Sequence, residues 1–344
     1  MAHPSIENKT PFAFDMMGLA DEEGRPLLLL VVKATYALRE NGLRLAEEQT
    51  PVNWSGESWG KRGESSDKHE PETAFIKPAT DVVLIGHAYP PHKGATEGLV
   101  ALQVGPLKKV VRVTGERVWF RSMGHIAATK PLPFDKLPLT WERAFGGWDR
   151  TDPKQPAFEP RNPVGRGFRA SPRHFEEGLT LPNLEDPAET LREFGQRVTP
   201  VGFGFTSPHW QPRAKHAGTY DETWRKTRQP LLPKDFDRRF FNAAAPGLIA
   251  PGYLKGDEPV LITGASPGGR LAFRLPGQAA PRVSVDRETG EASQPDMRLD
   301  TVVLDPDAQR IQLLWRGHLI LDTGIHDVQG LTITAEVVGR PSHG

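Results

Sequence analysis

The strongest hydrophobic pattern in the chain runs from Leu27 to Leu38, Leu-Leu-Leu-Leu-Val-Val-Lys-Ala-Thr-Tyr-Ala-Leu. Every even position from Leu28 to Leu38 is apolar, while the odd positions begin apolar and turn polar at Lys33 and Thr35. Successive side chains of a strand point to opposite faces. The pattern therefore predicts a strand buried on both faces at its start and on one face at its end. Asn41-Gly42 follows, with Leu43 and Leu45 beyond it, which is a hairpin signal. Further strands are predicted over Asp81 to Tyr89 and Leu99 to Val104, the latter with Val100, Leu102 and Val104 on one face. Val110 to Val113 is expected to pair with Arg117 to Phe120 across Thr114-Gly115-Glu116. Later, Val260 and Ile262 lead through Gly264 to Gly269 into Leu271, Phe273 and Leu275. Leu299 to Leu304 and Ile311 to Trp315 flank the turn Asp305-Pro306-Asp307, and Leu331, Ile333, Ala335 and Val337 share one face of a closing strand. The expected fold is mainly β: an antiparallel β-sandwich-like body with long ordered loops and a few short helices.

Two stretches break the alternation. Residues 51–80 are polar, carry Trp54 and Trp59, and read as a long loop. Residues 121–258 are punctuated by proline but too aromatic for a disordered linker. Short helices are expected there at Asp186-Pro187-Ala188-Glu189, with Leu191 and Phe194 buried and Gly195 ending it. Others are expected after Asp221, stopping before Pro230, and around Phe236 and Phe240. The 34 glycines and 33 prolines agree with many turns and few long helices. The expected organisation is one β-rich domain over residues 1–344, its loop-rich middle (121–258) packed on strands from 27–120 and 259–338.

Within that middle, Trp141-Glu-Arg-Ala-Phe-Gly-Gly-Trp-Asp-Arg150 and Glu159-Pro-Arg-Asn-Pro-Val-Gly-Arg-Gly-Phe168 concentrate aromatics, arginines, glycines and prolines. Two readings stand. In one, Arg143, Arg161 and Arg166 clamp the loop from inside by satisfying its carbonyls. In the other, the stretch is a recognition surface, because Trp and Arg dominate binding hot spots. The candidate partner-binding residues are Trp141, Arg143, Trp148, Arg161, Arg166, Trp210, Arg213, Trp224 and Arg225.

Charge and reactive groups narrow the chemistry. The 43 basic and 43 acidic residues cancel, so nothing calls for a polyanionic partner. Residues 210–241 hold eight basic against four acidic residues, a local +4 interleaved with aromatics. With a neutral chain this argues for a protein surface or loop clamp over nucleic acid. There is no cysteine, which removes disulfides, thiolate metal sites and cysteine nucleophiles. Gly264-Ala-Ser-Pro-Gly268 matches the nucleophile-elbow pattern, but a second strand, not a helix, is expected after it. His87 with His92, or His209 and His216 with Asp221, could meet at a metal, yet none has zinc-motif spacing. Val164-Gly-Arg-Gly-Phe168 lacks the following helix that a phosphate site needs. No catalytic residue, cofactor or metal is assigned. Met1-Ala-His-Pro-Ser-Ile-Glu has no apolar core for a signal peptide, and Leu27 to Val32 is too short to span a bilayer. A soluble cytoplasmic protein is expected.

Several blocks together carry a resemblance. They are Asn8-Lys-Thr-Pro-Phe12, Val31-Val-Lys-Ala-Thr-Tyr36, Lys77-Pro-Ala-Thr-Asp-Val-Val83, Val113-Thr-Gly-Glu-Arg-Val-Trp119, Glu142-Arg-Ala-Phe-Gly-Gly147 and Pro160-Arg-Asn-Pro-Val-Gly-Arg-Gly-Phe168. Further on come Leu181-Pro-Asn-Leu184, Gly218-Thr-Tyr-Asp-Glu-Thr-Trp224, Pro230-Leu-Leu-Pro-Lys-Asp-Phe236 and Leu313-Leu-Trp-Arg-Gly317. Over about residues 8 to 317 the chain resembles a bacterial family long labelled a domain of unknown function. Members of that family are encoded beside type VI secretion spike genes: VgrG proteins, PAAR-repeat tips and toxic effectors. The resemblance implies an adaptor or chaperone that carries an effector toxin to the VgrG or PAAR spike, and it implies no catalytic residues. Two alternatives are a β-rich hydrolase or carbohydrate-active enzyme with dispersed acids, and a structural part of the secretion apparatus.

Overall fold

In a computed structural model, which describes residues 4–40 and 42–338, the expected strand at Leu27 to Leu38 runs over Pro26–Arg39. Met1 to His3 and the Asn41 of the expected hairpin signal lie outside the described residues. Pro26–Arg39 is the spine of a six-stranded sheet ordered Ala13–Ala20, Pro26–Arg39, Arg310–Ile320, Arg298–Asp305, Asp81–Leu84, with Gly42–Leu45 also paired to the spine. Neighbours are antiparallel except Arg298–Asp305 and Asp81–Leu84, which are parallel. The longest register couples Leu27 with Ile320 and, at the other end, Ala37 with Arg310. Strands from distant parts of the sequence thus complete one sheet.

The period of two divides the spine between two cores. Leu28, Leu30, Val32, Ala34 and Tyr36 join the principal core, while Leu27, Leu29 and Val31 pack with Phe75 in a separate cluster. The odd face does not open to solvent at Lys33 and Thr35 as expected; both residues are buried. The chain beyond Leu45 folds back over them. Gln49 Oε1 accepts the Thr35 N–H at 2.8 Å, and the Thr50 N–H donates to Thr35 Oγ1 at 3.0 Å. Lys33 Nζ donates to the Pro51 carbonyl at 2.9 Å and pairs with Glu72 at 2.5 Å. Buried polar groups persist where they are paired, and pairing is what alternation alone does not reveal.

A five-stranded antiparallel sheet is ordered Leu184–Glu185, Leu107–Thr114, Glu97–Val104, Pro259–Thr263, Arg270–Arg274. The expected pairing of Val110–Val113 with Arg117–Phe120 does not form. Gly105, at φ +51°, and Pro106 make a two-residue turn that pairs Leu107–Thr114 with Glu97–Val104 instead. Trp119–Ser122 pairs with His125–Ala128. A four-stranded sheet is ordered Ser5–Asn8, Val328–Thr334, Arg282–Arg287, Ala292–Ser293. The principal core draws on all three: Val32 and Leu313, Val100 and Val260, Val283 and Ile333. The fold is mainly β, with several mostly antiparallel sheets.

Helix is sparse. The α-helix Glu222–Thr227 begins where expected, its Asp221 carboxylate accepting the Trp224 N–H at 2.8 Å. Near Phe236 and Phe240 there is a single 3-10 turn, Arg238–Phe241. The expected helix at Asp186 is absent. Asp186 accepts the Ala188 N–H on its side chain (2.8 Å) and the Glu189 N–H on its carbonyl (3.0 Å), closing a local turn that competes with helix. Leu191 is buried all the same, in a small cluster with Trp119, Phe145, Phe168, Leu181 and Val198. Among the described residues no helix is long and apolar enough to cross a membrane.

A buried ionic network fastens the middle segment to the sheets. Lys77 Nζ pairs with Glu70, donates to Asp81 Oδ2 at 2.8 Å and to Thr301 Oγ1 at 3.0 Å. Asp81 also accepts the side-chain amide of Asn242 (3.0 Å) and the Ala243 N–H (2.8 Å). Arg316 pairs with Asp300 at 3.0 Å and donates to the Ala74 carbonyl at 2.7 Å.

Candidate functional site: the aromatic and arginine loops

The two glycine-rich stretches meet because their glycines let backbones touch. Phe145–Gly146 and Arg166–Gly167 form a short parallel pair. Gly146 and Gly147 have φ of +148° and +96°, and a Cβ on either would collide with the Asn162 or Gly165 carbonyl oxygen. Asn162, fully buried, donates to the Trp141 (2.8 Å) and Phe145 (2.9 Å) carbonyls, while its own carbonyl accepts the Gly147 N–H at 2.8 Å.

Most of the candidate arginines and two of the tryptophans face inward. Trp141 donates its indole N–H to the Phe205 carbonyl at 2.8 Å and meets Trp210 edge to face, ring centres 5.9 Å apart; both are buried. Arg143 and Arg166 share the Glu116 carboxylate, and Arg166 Nε also donates to the Glu142 carbonyl at 2.9 Å. Burial and the neighbouring Arg143 push the Arg166 guanidinium pKa below its ordinary value. Arg213 is buried and donates to the Thr206 (2.6 Å) and Phe240 (2.8 Å) carbonyls. Arg161 holds Glu159 through two bonds, 2.7 and 2.9 Å, and reaches the Val198 carbonyl at 3.1 Å. Trp141, Trp210 and Arg213 brace the loops from within, and the part-buried Arg143, Arg161 and Arg166 brace them from nearer the surface.

The outward-facing group is smaller. Trp148–Asp149 pairs antiparallel with Ala157–Phe158, so Trp148 stands directly opposite Phe158. Their rings stack at 4.5 Å, each residue keeps 42% of its surface exposed, and the Arg150 guanidinium lies 5.4 Å from the Trp148 ring centre. The residue that follows each of these aromatics turns inward. Asp149 is buried and accepts from His174 (2.6 Å), the Ala170 N–H (2.8 Å) and the Thr151 N–H (3.0 Å). Glu159 is buried against Arg161. Burial alone would raise both carboxyl pKa values; these hydrogen bonds and the Arg161 charge outweigh it and hold both below the usual range. A groove of about 180 Å³ runs beside Trp148, lined by Trp119, Gly147, Arg166, Arg169, Leu179 and Phe194. Trp224 and Arg225 sit elsewhere, on the α-helix. Trp224 donates to the Leu231 carbonyl at 2.8 Å and packs on Tyr220, and Arg225 is exposed beside Glu222.

Phe158 and Arg150 were not among the sequence candidates. The available signal was the alternation Trp148-Asp149 and Phe158-Glu159, an aromatic next to a carboxylate on each of two short segments. The other motifs resolve locally. Ser266 lies in the loop between Pro259–Thr263 and Arg270–Arg274, with a strand after it. His87 bonds Asp307 at 2.7 Å, His209 accepts the Trp210 indole N–H at 3.0 Å, and His216 pairs with Asp237 at 3.3 Å. Among the described residues no group of three or more His, Asp or Glu side chains is placed to hold a metal ion.

Compared with known proteins, residues 23–316 match the family described as an uncharacterized protein conserved in bacteria (DUF2169). No curated protein and no solved structure gives a significant match.

Proposed function

The chain belongs to the DUF2169 family of bacterial proteins, and we propose that it is a type VI secretion adaptor, which binds an effector toxin and helps load it onto the VgrG or PAAR spike. The resemblance of its sequence blocks to proteins encoded beside spike genes supports this reading. The single structural observation behind it is the exposed Trp148–Phe158 stack with Arg150, on loops whose backbone is fixed by buried carboxylates and glycine contacts. An adaptor needs anchors that bind with little left to order, and aromatic and arginine side chains on a stiff support meet that need. The buried carboxylates Glu70, Asp81 and Asp300 are each paired with Lys77 or Arg316, which favours a scaffolding role for them over acid–base work. The docking face is therefore assigned to Trp148, Phe158 and Arg150 with the adjoining groove, and the inward-facing arginines are its supports.

Tagged protein captured from the producing bacterium should bring down a toxin together with a VgrG or PAAR protein. A Trp148→Ala/Phe158→Ala variant should fold normally and lose that capture, with toxin affinity falling about thirtyfold or more. Recovery of neither toxin nor spike protein by the unaltered chain would overturn the adaptor reading. Undiminished capture by the variant would move the docking face elsewhere.

A further inference from the structure

Arg270–Arg274 is the last strand of the five-stranded sheet; among the described residues no strand pairs with its outer side, although Gly42–Leu45 approaches it at one point. Two bonds fix its phase: Gly264 N–H to the Gly269 carbonyl (2.8 Å) and Leu275 N–H to the Glu258 carbonyl (2.9 Å). Bonded and non-bonded pairs alternate along an antiparallel ladder. Residues 269, 271, 273 and 275 therefore bond inward to Pro259–Thr263, and the N–H and C=O groups of Arg270, Ala272 and Arg274 point away from the sheet. Pro259, which has no N–H, stands opposite Arg274, as a non-bonded position allows. Side chains alternate as well: Leu271 and Phe273 pack on the principal core, whereas Arg270, Ala272 and Arg274 are exposed.

Around this edge arginines outnumber glutamates by a narrow margin, four to three along two depressions. A depression of about 520 Å³ runs along this edge, lined by Leu38, Arg39, Arg270, Leu271, Phe273 and Gln309. It shares Arg39 and Gln309 with a second depression of about 450 Å³ that includes Arg44 and Arg310. Glu40, Glu47 and Glu48 lie on the same rims, Glu48 at 4.0 Å from Arg310. Among the described residues, Arg39, Arg44, Arg270 and Arg274 form no ion pair with any of the rim glutamates. The outer edge of the six-stranded sheet differs: there the outward Met16 N–H is already taken by the Asp15 carboxylate at 2.8 Å.

We propose that Arg270–Arg274 takes up an extended acidic segment of a partner protein as a sixth strand of this sheet. Strand addition supplies backbone hydrogen bonds for affinity and side-chain positions for selection. The two faces of the edge specify a segment of alternating character, apolar where it lies beside Leu271 and Phe273, acidic where it lies beside Arg270 and Arg274. A second copy of this chain fits poorly, because antiparallel self-pairing brings Arg270 against Arg274. The site is separate from the Trp148 face and does not rest on the adaptor reading.

The probe is a fluorescent peptide of about ten residues alternating glutamate and valine, with a lysine–valine peptide as control. Binding is followed by anisotropy and by hydrogen exchange. The acidic peptide should bind, slow the exchange of the Arg270, Ala272 and Arg274 amides, and bind about tenfold or more tighter than the lysine peptide. Ala272→Pro removes an outward N–H without touching the ladder to Pro259–Thr263, so it should weaken binding about tenfold while circular dichroism and Tm stay unchanged. Arg270→Glu/Arg274→Glu, which alters only exposed side chains, should do the same and decides the matter if the proline variant misfolds. Failure of the acidic peptide to bind, equal binding of the lysine peptide, or unchanged affinity in the variant that folds would each overturn the proposal. Loss of peptide binding in Trp148→Ala/Phe158→Ala would also overturn it, by placing the contact on the other face.

Discussion

Single side chains in the loop-rich middle carry loads out of proportion to their size. Gly146→Ala must push a methyl group into the Asn162 carbonyl at a backbone angle that alanine rarely adopts. It should destabilise the protein by about 2–4 kcal/mol, read as a lower urea midpoint with an unchanged slope. Asp149 has a folded-state pKa below its unfolded value near 3.9. Its contribution is present above the unfolded value and is lost as pH falls through the folded one. The stability gap between wild type and Asp149→Asn should therefore narrow as pH is lowered below about 4. His69 acts at milder pH: burial holds its pKa down to about 4, so it is neutral in the folded chain. Between its unfolded pKa near 6.5 and about 4, the unfolded chain binds the extra proton, so stability falls with pH across that window. Wild type should lose up to about 3 kcal/mol more than His69→Gln there, measured by denaturant titration at several pH values.

At the scale of strands and turns, alternation alone makes Pro26–Arg39, the Pro259–Arg274 hairpin and the Arg298–Ile320 pair legible in the sequence. What alternation does not show is what covers a polar residue. Lys33 and Thr35 read as a solvent face because their partners, Glu72, Gln49 and the Pro51 carbonyl, come from a loop with no pattern of its own. Lys33→Met should accordingly be severe, about 3–5 kcal/mol, because it strands the Glu72 carboxylate; adding Glu72→Gln should recover part of the loss in a double-mutant cycle. Partner choice is likewise hidden: Val110–Val113 has two candidate neighbours, and the Gly105-Pro106 turn decides between them. The candidate site is legible as a composition and not as a direction. Tryptophan and arginine mark it, but whether Trp141 or Trp148 faces outward depends on contacts with Phe205 and Phe158 from elsewhere in the chain.

For the whole molecule, the consequence lies in the register that couples Leu27 with Ile320 and Ala37 with Arg310. Closing a loop of that length is slow, and contacts so far apart in sequence delay folding. On the ribosome, the apolar Leu27–Val32 run emerges well ahead of Arg310–Ile320 and has no neighbour on that side until the later strand has been made. Through that interval it is a bare, sticky edge, the kind of surface that invites aggregation or a holding chaperone. The central sheet, and every loop that it holds in place, can take its final form only after Arg310–Ile320 has left the ribosome.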